Sequence, residues 1–233
     1  MDFAGLWDTV TATQPAPPRW LLLGTAAVAL LAILPRPLWR LSRNVVTIAH
    51  EGGHGLVAKL TGRKLAGIRL HSDTSGLTIS SGPAAGPGMI LTAAAGYTAP
   101  PLLGLGGAAL LAGHHVTQLL WIAIVLLAGL LVMIRNAFGL LSVVVTGAAF
   151  FLISWYGSSQ LQSGFAYLGV WFLLLAGVRP VLELQGKRRH DGARSTDADQ
   201  LAHLTGISPL FWVGLFLAVA LSSLALGGTW LLT

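Results

Sequence analysis

Apolar stretches separated by short polar breaks run along almost the whole chain. Six are long enough to cross about 30 Å of hydrocarbon as helices. They are Trp20–Trp39, Met89–Ala112, Gln118–Ile134, Asn136–Tyr156, Gly164–Leu182 and Pro209–Leu232. The stretch Asn44–Thr61 departs from this pattern. It has helical spacing and is mostly apolar, yet it holds two His, a Glu and a Lys. After it, Gly67–Leu70 and Leu77–Ser80 alternate around the turn-rich His71–Gly76, which predicts a β-hairpin. Ser195–Leu204 reads as a short helix stopped by Gly206. Its Thr196 is spaced three residues from Asp199, as in a capping box.

These elements predict an all-α polytopic membrane protein. It has about six transmembrane helices, a membrane-dipping helix and one short hairpin. No polar stretch is long enough to bury a core of its own, so residues 1–233 are expected to form a single domain. Met1–Arg19 carries Asp2 and Asp8 and lacks a basic start, so the first span is expected to be retained.

Composition strengthens the membrane reading. Hydrophobic residues make up 54% of the chain and charged residues 9%, against about 25% charged in soluble domains. The net charge of +6 does not point to nucleic acid, because the basic residues flank apolar segments. They act instead as topology signals and as contacts for anionic headgroups. An outside N-terminus places 12 of the 14 Lys and Arg on one side, the cytoplasmic one. Both ends of Asn44–Thr61 then lie on that side, so either the segment dips in without crossing or one later run is re-entrant. Polar residues at membrane depth are tolerated there only beside protein or water.

The absence of cysteine excludes disulfides, thiolate metal sites and a cysteine nucleophile. His50-Glu51-Gly52-Gly53-His54 fills that gap. Two His four apart on a helix lie about 40° apart around its axis, so both imidazoles reach one metal. Glu51 projects beside the pair, placed to take a proton from a water on that metal. Only Glu51 and Glu183 are glutamates, and Glu51 alone sits well inside an apolar segment, where an unpartnered charge is costly. The glycines fit close helix packing, as between Ala49 and Gly53.

A catalytic zinc site needs a third protein ligand. The candidates are Asp197, Asp199, Asp191, Asp73, His71, His114, His115, His190 and His203. The capping box gives Asp199 a structural task and leaves Asp197 freer to bind metal. Asn136, between two spans, is placed to hydrogen-bond a substrate.

The His50–His54 motif, the hairpin after it and a late Asp before the last span resemble the site-2 protease family of intramembrane zinc metallopeptidases. The likeness is closest to its short bacterial branch, whose Ser/Thr-Asp-Ala element is similar to Thr196-Asp197-Ala198. The resemblance implies Zn2+ bound by His50, His54 and Asp197, with Glu51 as catalytic base. It also implies a membrane protein or peptide as substrate, cleaved in the cytoplasmic membrane of a bacterium at a site reached from the cytoplasm. The chain lacks the family's usual Asn-x-x-Pro…Leu-Asp-Gly element and any PDZ-like insertion. Its literal Asp191-Gly192 pair stands in a basic loop. The competing readings are a metal transporter and a non-catalytic membrane metal-binding protein. A carrier calls for repeat symmetry and polar residues on several spans, and neither is evident.

Overall fold

The computed structural model describes residues 7, 8, 10–190 and 196–233. The Asp191-Gly192 pair, Asp2 and Ser195 lie outside the described residues, as does the side chain of His190. The named elements are α1 (Arg19–Ile33), α2 (Arg36–Leu60), β1 (Lys64–Leu70), β2 (Gly76–Ser81) and α3 (Pro87–Ala112). They continue with α4 (Val116–Met133), α5 (Ala137–Tyr156), α6 (Ser159–Ala176), α7 (Val178–His190), α8 (Asp197–Thr205) and α9 (Pro209–Leu232). Five helical stretches are long and apolar enough to cross a membrane: α3, α4, α5, the Ser159–Arg189 run and α9. A sixth arises if the bent pair α1–α2 counts as one span.

That pair corrects the expected first span. Trp20–Trp39 is not one straight helix, because α1 ends at Ile33 and α2 leaves at 103°. Pro35 is the cause. It lacks an N–H to continue the ladder, and its own backbone is extended (ψ 131°) while Leu34 before it is still helical. Pro35 and Pro37 then suit the start of α2. The His-Glu helix is accordingly longer than expected and begins at Arg36.

The carbonyls freed at the break are taken up by a distant side chain. The Arg179 guanidinium donates to the Ile33 and Leu34 carbonyl oxygens and lies 4.9 Å over the Trp39 ring. Glu183 binds Arg179, accepts from Trp39 Nε1 at 2.8 Å and faces Arg43 at 3.5 Å. This cluster ties the bend to α7.

Helix α3 is central and packs against α2, α9 and α6, with α8 docked on its N-terminal half. One apolar core lies between α1, α3 and α6, around Leu111, Leu174 and Trp171. A second seats α8, through Ala198 and Leu201, on Ala93, Val213 and Phe216. A third lies under the hairpin, around Ile48, Ile68, Leu70 and Val143.

The hairpin forms as the alternation predicts. β1 and β2 are antiparallel, from Lys64 opposite Ser81 to Leu70 opposite Gly76, with an irregularity between Leu65 and Gly67. Residues just before α5 extend it, because Arg135 N–H donates to the Ile68 carbonyl and Ile68 pairs with Ile134.

Candidate metal centre and active site

The repeat of α2 puts Thr47, Glu51, His54 and Ala58 on one inward stripe, and all four are buried. His50 lies one position to its side. The stripe faces α3 closely: a Cβ added at Gly53 would lie 2.4 Å from the Ala99 Cβ. This bears out the expected packing role of that glycine.

His54 is oriented by α3. Its Nδ1 donates to the Thr92 carbonyl oxygen at 2.6 Å, which leaves the Nε2 lone pair turned inward. His54 Nε2 lies 3.1 Å from His50 Nε2, and each lies 3.3 Å from Asp197 Oδ2. Four tetrahedral ligand atoms about 2.0 Å from an ion are about 3.3 Å apart. The triangle therefore has the right size, and its two nitrogens and one carboxylate oxygen are donors that suit zinc. Three ligand atoms facing one another at these distances leave a place where one cation could be held between them. Among the described residues, His50, His54 and Asp197 are the one group of this kind.

Asp197 reaches the cluster from the first turn of α8. Burial pushes its carboxyl up, but the hydrogen bonds and charges of His50 and His54 outweigh that and hold it well below the usual carboxylate range. Asp199, two residues on, is engaged elsewhere. It closes the capping box with Thr196, whose hydroxyl donates to it at 2.6 Å, and it pairs with Arg188. Of the other candidates, His71, Asp73, His114 and His203 are exposed, and none of them joins the cluster.

Glu51 is 5% exposed. The Thr78 hydroxyl of β2 donates to its Oε2 at 2.6 Å. Glycines make the space around it. A Cβ on Gly76 would lie 2.5 Å from Glu51 Oε1, and one on Gly96 would lie 2.3 Å from His54 Nε2 and 2.6 Å from His50 Nε2. Tyr97 meets the His50 ring edge-on at 4.8 Å and stacks on Phe216, which walls the site on the α9 side.

Asn136 contacts none of these groups. Its carboxamide donates to the Leu70 carbonyl at 2.6 Å and accepts from the Leu70 N–H at 3.2 Å, holding β1 like a strand neighbour. Sequence reasoning did not find Thr78, Thr92, Gly96 or Tyr97. None belongs to a spaced motif. The alternation that places Thr78 on one face of β2 was the only available signal.

The arrangement can bind one divalent metal beside a buried carboxylate, which is the equipment of hydrolysis. No characterised protein and no solved structure matches the chain. The Peptidase M50B-like family model matches residues 23–227, from within α1 to within α9. With that match over most of its length, on a scaffold of membrane-length apolar helices, the chain belongs to the M50B-like peptidases, a family of membrane proteases.

Proposed function

We propose that this chain is a zinc-dependent endopeptidase that hydrolyses peptide bonds of membrane-associated proteins. His50, His54 and Asp197 would hold the metal, and Glu51 would be the general base. The observation that carries this reading is the 3.1–3.3 Å triangle of His50, His54 and Asp197 atoms beside a buried glutamate. Zinc held there would supply a Lewis acid that polarises the peptide carbonyl and makes water more acidic.

Glu51 takes a proton from the attacking water and returns it to the leaving nitrogen as the C–N bond breaks. Thr92 keeps His54 in one tautomer, and Gly96 keeps the approach open. The substrate has to be extended, because a helix occupies its own carbonyls. β2 offers an edge for such a segment: it pairs with β1 on one side only, and its Leu77 and Ile79 are exposed. Asn136 serves the substrate indirectly, by fixing β1 through Leu70.

Gly96 lies nine residues into α3, about 13 Å along it, which supports a centre sunk in the bilayer near its cytoplasmic face. The basic residues at that end support the same orientation. The test is Glu51→Gln in the full chain, reconstituted with zinc and given casein as an unfolded substrate. Cleavage is lost while zinc content is kept. Cleavage at the wild-type rate would overturn the reading.

A further inference from the structure

Glu51 is reached by a group from outside its own helix. The Thr78 hydroxyl lies 2.6 Å from Glu51 Oε2 and 3.2 Å from the Glu51 main-chain oxygen. The shorter contact takes its single proton, in a charge-assisted bond. Among the described residues no hydrogen bond reaches Oε1. That oxygen faces Gly76, where a Cβ would intrude to 2.5 Å. The carboxylate thus lies along one face of β2, against Gly76 and Thr78, with one oxygen hydrogen-bonded and, among the described residues, the other not.

We propose that Thr78 is a positioning residue of the hydrolytic reaction: by engaging Oε2, it holds the Glu51 carboxylate in the orientation from which Oε1 accepts the proton. The inference rests on Glu51 being the general base. A glutamate side chain has three rotatable bonds, and fixing one orientation has an entropic cost. The Thr78 bond meets that cost before substrate arrives. In the reaction Oε1 gains the proton that the water loses as its oxygen bonds to the peptide carbon. The same proton then goes to the departing nitrogen. Thr78 keeps its own proton throughout.

The strand that orients the base is also the strand whose free edge suits an extended peptide. Docking a substrate strand therefore lies one residue layer from the catalytic carboxylate, which joins substrate binding to base alignment.

The experiment compares Thr78→Val, Thr78→Ser and Glu51→Gln in the full chain with zinc, using casein and measuring kcat, KM and bound zinc. Removing a hydrogen bond to a charged group predicts a kcat loss of about 10- to 100-fold for Thr78→Val. KM and zinc content stay at wild-type values, and Thr78→Ser, which keeps the hydroxyl, returns kcat to within about threefold. Wild-type kcat in Thr78→Val overturns the proposal. So does a loss that Ser does not restore, or one that follows KM, zinc content or unfolding. If Glu51→Gln abolishes cleavage while Thr78→Val does not, the positioning role alone fails. If Glu51→Gln still cleaves, the reading of the site fails with it.

Discussion

His54 Nδ1 lies 2.6 Å from the Thr92 carbonyl oxygen, so an imidazole on α2 is locked by the backbone of α3. The bond settles which ring nitrogen faces the cluster, and it needs no side chain from α3. X-ray absorption of the zinc-loaded protein should show two imidazole nitrogens with oxygen ligands and no sulfur. A sulfur-free shell containing one imidazole would contradict the arrangement.

Gly96 is the sharpest steric test. A Cβ there would fall within 2.6 Å of both inward nitrogens. Gly96→Ala should keep its helicity, because alanine favours helix. Its bound zinc should fall to about a tenth or less at matched free metal. Full zinc occupancy would show that α3 does not press on the ligands.

Asp197 and Asp199 should separate cleanly. Asp197→Ala should lose zinc whatever happens to the metal-free unfolding midpoint. Asp199→Asn should lower that midpoint, at about 1–3 kcal/mol, because it removes the charge that pairs with Arg188 and takes the Thr196 hydroxyl. Burial raises the Asp199 carboxyl, but Thr196 and Arg188 outweigh it and depress its pKa. A depressed pKa stabilises the fold above the unfolded carboxyl value of about 4, and the contribution is lost as pH falls below it. The difference between wild type and Asp199→Asn should therefore shrink on acidification. A gap that widened would have the wrong sign.

Gly76→Ala should disturb the base without touching the ligands. The added methyl meets the Glu51 carboxylate at 2.5 Å, so kcat should fall at least about tenfold, as for a misplaced catalytic group. Zinc content should be unchanged. Equal kcat for the two proteins would mean that Glu51 has room to spare.

Arg179 should matter for the bend rather than the chemistry. Arg179→Met frees the Ile33 and Leu34 carbonyls and removes a partner of Glu183. The expected cost is about 1–3 kcal/mol in thermal unfolding. Spin labels at Val28 and Leu41, on the two arms of the bend, should show a broader distance distribution. An unchanged distribution and midpoint would indicate that Pro35 alone sets the angle.

Much of this protein was determined by local sequence. Run length specified the membrane helices, alternation specified the hairpin, and Thr196 with Asp199 specified the start of α8. The spacing of His50, Glu51 and His54 placed two candidate ligands and a carboxylate on one helix. Each of these is a short-range relationship, set by the period of a single element. The 103° bend was partly legible in Pro35, but its angle depends on α7 supplying Arg179 and Glu183.

Among the described residues, only the tertiary structure decided which side chain joins His50 and His54. Asp197 does so because Ala198 and Leu201 dock α8 against Ala93, Val213 and Phe216. Thr92, Gly96 and Thr78 enter the site in the same way, through a carbonyl, a missing side chain and a hydroxyl on neighbouring elements. Such residues carry no motif. Their roles arise from how closely helices and strands approach, which depends on the fit of many side chains across distant elements and not on the period of any one.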